Sequence, residues 1–170
     1  MLRGIHPLLG PDLLHALRTM GHGDEIVIAD ANFPASTLGP KVIRADGLGG
    51  EALLEAILSH LPLDTFVDTT AYRMAMVEDP TQLPDICASY RTILHRVAGP
   101  FQRMPLERFE FYKRARDAAY IVASGERAFY ANVILKKGVV TPDNTKEESN
   151  RDSSLDTLRE NNITYETFHK

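Results

Sequence analysis

The sequence predicts an α/β protein, a single domain in which a sheet is flanked by helices on both faces. Three observations predict it. Windows with apolar residues at helical spacing alternate with short β-branched runs, the pattern of layered helix and sheet. Ile26, Val27, Ile28 and Ala29 form an unbroken apolar run, as a buried strand requires. At 170 residues the chain is long enough for one well-buried core and short for two.

Taken in order, Pro11 opens a window whose apolar positions Leu13, Leu14, Leu17 and Met20 fall on one helical face. Gly21 stands where a glycine would end that helix. Glu25 to Asp30 then reads as a strand, and Asn32, Pro34 and Gly39-Pro40 as the turn signals after it. Val42 to Asp46 is a second short strand. Gly50 to Leu61 is a helix with Leu53, Leu54, Ile57, Leu58 and Leu61 as its stripe, stopped by Pro62. Thr65 to Asp68 and Arg73 to Val77 are strand candidates. Pro84 starts a helix that Gly99-Pro100 ends, and Glu107 to Ala119 is a charged, aromatic helix. Tyr120 to Ala123 and Asn132 to Leu135 complete the sheet. No repeat is present, and residues 141–170 are polar enough to predict a flexible tail, in which the sequon at Asn162 carries little meaning.

Composition narrows the function classes. With 44% apolar and 25% charged residues the chain is not disordered in bulk, and its net charge of −4 argues against nucleic acid or an anionic membrane as the main partner. The single cysteine, Cys87, cannot close an intrachain disulfide, and the first residues lack the apolar run of a signal peptide. The expectation is a soluble, cytoplasmic protein.

The least ordinary stretch is Gly21-His22-Gly23-Asp24, where flanking glycines leave an imidazole unshielded and open to a ligand. Histidine exchanges protons near neutral pH, so His22 is a candidate acid or base; the alternative is a solvated turn residue. Asp30 closes the apolar strand, where ligand groups gather in α/β folds, unless it only caps the next turn. Eight residues separate the two, up to about 26 Å of extended chain. One pocket holds both only if the glycine loop folds back or if a neighbouring subunit supplies one of them.

Arg108, Tyr112, Arg127, Tyr130 and Asn132 offer planar donors, phenols and an amide, a set suited to a neutral polyol. Against that, Phe111 and Tyr112 fall in an amphipathic pattern and are assigned to the core, and Arg108 has Glu107 and Glu110 as ready partners. Gly47-Leu48-Gly49-Gly50-Glu51-Ala52 fits a dinucleotide fingerprint, but Val42 to Asp46 carries two charges and is a poor central strand. The histidines and Cys87 show no metal-ligand spacing, and no nucleophile elbow or phosphate loop exists.

Met20 to Ile26, Ala29 to Pro34, Ile43 to Gly47, Arg108 to Tyr112, Gly125 to Ala128, and Tyr130, Asn132 and Leu135 to Gly138 resemble the ribose pyranase and fucose mutarotase family, in its fucose branch. The resemblance covers roughly residues 1–140. It implies a cofactor-free isomerase that interconverts the α and β anomers of a free monosaccharide, L-fucose first. His22 would be the proton donor, and Asp30, Arg108, Tyr130 and Asn132 the sugar-binding positions. It also implies an α/β fold and homo-oligomeric rings, commonly decamers, with each pocket shared between subunits. Ala131 departs from the family's usual glycine and puts a methyl group on backbone expected to touch sugar. Three alternatives stay open: ribose pyranase activity, a non-catalytic sugar-binding or transport-accessory protein, and a dinucleotide oxidoreductase built on the Gly47 loop.

Overall fold

Strand β1 (Glu25–Ala29) shows why this sequence layers as it does. Ile26 and Ile28 point to one face of the sheet, Val27 and Ala29 to the other, and all four are fully buried. Ile26 and Ile28 join a core with α1 (Pro11–Thr19), α2 (Gly50–Leu58) and α3 (Asp85–Ala98), through Leu13, Leu17, Leu53, Leu54, Ile57, Tyr90 and Leu94. On the opposite face Val27 and Ala29 pack with Phe111 and Ala115 of α4 (Arg108–Asp117) and with Ala35 of a 3-10 turn, Ala35–Thr37. Helices thus cover both faces, as expected. The structure, a computed structural model, describes residues 2–99 and 102–141, so the expected tail from 142 onward lies outside the described residues.

The remaining strands are β2 (Lys41–Ala45), β3 (Thr69–Met74), β4 (Gln102–Leu106), β5 (Tyr120–Ser124) and β6 (Val133–Lys136). They form one sheet in the order β2-β5-β1-β6-β3-β4. Pairing is parallel for β2 with β5, β5 with β1 and β3 with β4, whereas β6 runs antiparallel to both β1 and β3. Five carboxyl ends and the amino end of β6 therefore share one edge of the sheet. The five amino ends share the other.

Several elements differ from the sequence expectation for identifiable reasons. Helix α1 ends with Met20 in extended conformation, and Gly21 is not its left-handed terminator; that conformation falls to Gly23, at φ +86°. The orphan carbonyls of Leu17 and Met20 accept from the Lys137 ammonium instead, at 2.8 and 2.5 Å. Helix α2 stops at Leu58, since the His60 and Leu61 amides both return to the Ile57 carbonyl in a closing turn. Neither strand candidate of the middle region stands as expected. The Asp64 carboxylate accepts the Phe66 amide at 3.0 Å and turns residues 65–68 out of the sheet, and the strand, Thr69–Met74, starts just after the first candidate and overlaps the second only at Arg73 and Met74. Strand β4 carries no clear sequence signal because Pro105 interrupts it; it is tolerated because β4 is an edge strand paired only with β3.

Candidate functional site

The sheet edge that gathers the carboxyl ends also gathers chemistry. Asp30 follows β1, Met74 closes β3, Glu78 comes four residues after it, Arg108 follows β4, and Tyr130 and Asn132 lead into β6. Together with Phe33, Tyr112 and Phe129 they line an open cavity of about 380 Å³, within the range of small-molecule sites. All four residues expected to face a sugar, Asp30, Arg108, Tyr130 and Asn132, therefore meet in one place.

Asp30 is held on three sides. Its Oδ2 accepts from Asn132 Nδ2 at 2.7 Å, its Oδ1 from the Asn32 amide at 2.9 Å, and its own amide donates to Asn132 Oδ1 at 2.9 Å. Burial pushes its carboxyl above the ordinary value despite these bonds, and the nearby Glu126 adds to the rise. Tyr130 takes a left-handed backbone, φ +61°, which turns its side chain out of the line of β6. Its hydroxyl donates to Glu78 Oε2 at 3.2 Å and accepts from the Val77 amide at 3.4 Å.

Arg108 forms no ion pair with Glu107 or Glu110 among the described residues, and its guanidinium lies over the Phe109 ring, 4.8 Å from the centroid. Glu107 caps α4 by accepting the Phe109 and Glu110 amides, and Glu110 lies by Lys113. The Arg108 Nε is instead buried without a hydrogen-bond partner on the wall of the cavity. Tyr112 refines the assignment made from periodicity, since it packs against the core beside Phe111 and also reaches the cavity. Phe111 is fully buried in the core, but Tyr112, one position on, lines the cavity and stands edge-on to Phe33. Helical spacing alone does not separate a core face from a rim one residue away.

Ala131 is likewise placed differently from the expectation. Its side chain is fully buried in the core beneath the helices, so its methyl group does not reach the cavity between Tyr130 and Asn132. The Gly47 loop has its own use. The Gly50 amide at the start of α2 donates to Glu126 Oε2 at 3.2 Å, so a carboxylate of the chain itself takes the anion position of that helix. Among the described residues no group of histidine, cysteine and carboxylate side chains is arranged to hold a metal.

His22 lies at the opposite edge. Its loop is pinned by Gly23 donating to the Lys137 carbonyl at 2.8 Å and by Gly21 donating to Asp24 Oδ2 at 2.7 Å. The five residues of β1, about 17 Å at 3.3 Å each, separate this loop from Asp30. The glycine loop does not fold back. His22 Nε2 lies 3.2 Å from Asp64 Oδ2, with the imidazole 47% exposed and the carboxylate 3%. Burial alone would raise the Asp64 carboxyl, but the Phe66 amide and the His22 imidazole outweigh it and hold it below its usual range. Asp64 is set by β6, whose Lys136 carbonyl accepts its amide at 3.1 Å. The sequence reading missed this dyad. The available signal was an isolated acid after Pro62-Leu63, which only a fold can bring to His22.

The RbsD / FucU transport protein family matches residues 3–140. The human protein named fucose mutarotase is 51% identical over 146 residues, 82% of this chain and 94% of its own length. A solved FucU structure from Bifidobacterium longum superposes with a TM-score of 0.77 at 45% identity, over 82% of this chain and all of that one. The fucose mutarotase of Streptococcus pneumoniae, solved in complex with L-fucose, gives 0.77 at 43% identity over the same shares.

Proposed function

This chain belongs to the RbsD / FucU family, and from that premise we propose that it interconverts the α and β anomers of L-fucose without a cofactor. Residues 1–140 carry the activity. The observation that carries the reading is the convergence of Asp30, Arg108, Tyr130 and Asn132, from three separate stretches of sequence, on one 380 Å³ cavity. The set suits a neutral polyol: a guanidinium with an uncommitted Nε, an amide, a carboxylate and aromatic rings. It also accounts for a family description that speaks of transport, since the same pocket would bind sugar before turning it over.

Mutarotation requires a proton delivered to the ring oxygen and another withdrawn from the anomeric hydroxyl. The C1–O5 bond then opens to the aldehyde, the C1 carbon rotates, and the ring closes on its other face with acid and base exchanged. His22, oriented by Asp64, is the proton donor. Because it sits on the far edge of its own sheet, the imidazole that serves a given pocket belongs to a second copy of the chain. On the receiving side, Tyr130 is already engaged by Glu78 and Val77, and both Asp30 oxygens accept amides. Tyr112, a phenol on the same wall with no hydrogen-bond partner among the described residues, takes the hydroxyl proton as it passes its own to solvent water in the open cavity, while Asp30 orients the sugar. Positioned acid and base groups supply about 10² to 10⁴-fold.

Exposed apolar groups support the head-to-tail contact. Phe66, 71% exposed, stands edge-on to His22 at 5.8 Å, and Phe129, 76% exposed, lies on the rim of the cavity. One edge meeting the other is a heterologous contact, which closes into a ring when the rotation permits; ten subunits is the size the family resemblance implies. A cytoplasmic address belongs to the same proposal and rests on the single buried, free cysteine. Saturation-transfer NMR on L-fucose tests the function: anomer exchange accelerated by the protein is expected, and exchange at the protein-free rate rejects it in favour of a sugar-binding role.

A further inference from the structure

A second cavity, of about 170 Å³, opens between α3, β3 and β4. Its lining is mixed: Ala71, Leu83, Leu94 and Val133 give it apolar walls, Cys87 and Tyr90 lie among them, and two guanidinium groups, Arg73 and Arg91, border it. Neither arginine has a carboxylate partner among the described residues. Among those residues Arg73 donates only to the backbone carbonyls of Met74 and Pro80, at 3.3 and 3.2 Å. The polar groups inside are already committed, since Cys87 Sγ and Tyr90 Oη donate to the carbonyls of Tyr130 and Ala131, each at 3.4 Å.

These features restrict the occupant. A sugar would bury hydroxyls against Leu94 and Val133 without partners, at a cost for each unpaired group. Inorganic phosphate would satisfy the arginines and leave the apolar walls uncovered. A cavity of about 150 Å³ is wide enough for a molecule the size of benzene, so the volume here admits one compact ring. We propose that this cavity is a second ligand site, which takes a small monocarboxylate with a compact apolar body, its carboxylate on Arg73 and Arg91 and its body against Leu94 and Val133.

The site shares a wall with the sugar cavity. Cys87 and Tyr90 hold the carbonyls of Tyr130 and Ala131 from behind, and Arg73 holds both ends of the segment from Met74 to Pro80. That segment supplies the Val77 amide and the Glu78 carboxylate that fix the Tyr130 hydroxyl. A carboxylate that draws Arg73 toward itself loosens this support, so the occupant weakens sugar binding, and sugar weakens the occupant by the same factor.

The test uses benzoate as probe on the full chain, followed by calorimetry and ligand-observed NMR without sugar, so its result does not depend on whether the protein turns sugar over. Saturable binding is expected, and acetate and benzyl alcohol, which lack the body or the charge, should bind more weakly. Arg91 is exposed, so its variants keep the fold. Arg91→Gln should weaken benzoate by about three- to fivefold, the scale of one exposed ion pair, and Arg91→Glu should abolish saturation. Arg108→Gln, which alters the sugar cavity, should leave benzoate binding unchanged. Failure to saturate, equal affinity in the Arg91 variants, or loss of binding in Arg108→Gln overturns the proposal.

Discussion

Asp30 and Asp64 are both buried carboxylates, and their surroundings push them in opposite directions. Burial dominates at Asp30 and raises it, whereas at Asp64 the Phe66 amide and His22 overcome burial and lower it. The signs follow from linkage. A raised Asp30 binds its proton more tightly in the folded state, so its contribution falls as pH rises from the ordinary carboxylate value through the raised one. A lowered Asp64 does the reverse: its contribution is full above the ordinary value and is lost as pH falls through its folded value. Carbon-detected NMR titration of the two side chains should give midpoints on opposite sides of about 3.9, the free Asp value, with Asp30 the higher; the reverse order contradicts this picture. On the proposed mechanism the pair of His22 and Asp64 governs activity. His22→Ala should lose most of the acid–base contribution, about 10² to 10⁴-fold, with the fold intact because the ring is half exposed. Asp64→Asn keeps the shape but not the charge and should cost about ten- to a hundredfold in anomer exchange. An Asp64→Asn variant as active as the parent would show that His22 works alone.

At the scale of elements, the two glycines that open α2 and follow β5 fix how the elements meet. A Cβ on Gly50 would fall 1.7 Å from Tyr90 Oη, so α2 and α3 approach over a glycine. A Cβ on Gly125 would fall 2.1 Å from the Asp46 carbonyl, which is backbone and cannot be trimmed. Gly50→Ala should therefore cost about 1–3 kcal/mol as an overpacking change and be partly rescued by Tyr90→Phe, which removes the offending oxygen. Gly125→Ala should cost more, and no side-chain change should rescue it. Urea denaturation of Gly50→Ala, Tyr90→Phe, their double variant and Gly125→Ala measures these costs. Elements of this kind were legible in the sequence where local pattern and burial agree, as in β1, α1, α3 and β5. They were illegible where tertiary contact overrides pattern. The Thr65-Phe66-Val67 run has strand composition, but the Asp64 carboxylate turns it outward, and Pro105 conceals β4, which lives only on its pairing with β3. The site divides the same way. Asp30, Arg108, Tyr130 and Asn132 stand beside recognisable element ends, whereas the partnership of His22 with Asp64 spans 42 positions and depends on β6 bringing the two loops together.

For the whole molecule, the sheet has two chemically different edges, and its single antiparallel strand, β6, links them. Asn132 lies at the amino end of β6 in the sugar cavity, and Lys136 and Lys137 at its other end brace Asp64 and the His22 loop. On the proposed mechanism one chain holds both halves of the catalytic apparatus and cannot bring them together, because β1 and β6 hold them apart at a fixed span. Assembly is then a condition of activity, and subunit mixing tests it. His22→Ala and Asp30→Asn chains should each be nearly inactive alone. When they are unfolded together in equal amounts and reassembled, a pocket that pairs the intact cavity of the first with the intact imidazole of the second arises at about one quarter of random contacts in a head-to-tail ring. Anomer exchange should return to that fraction of the parent rate, while separately refolded controls stay low. If the mixture is no more active than its components, each pocket draws its imidazole from its own chain, and the proposed exchange between subunits is wrong.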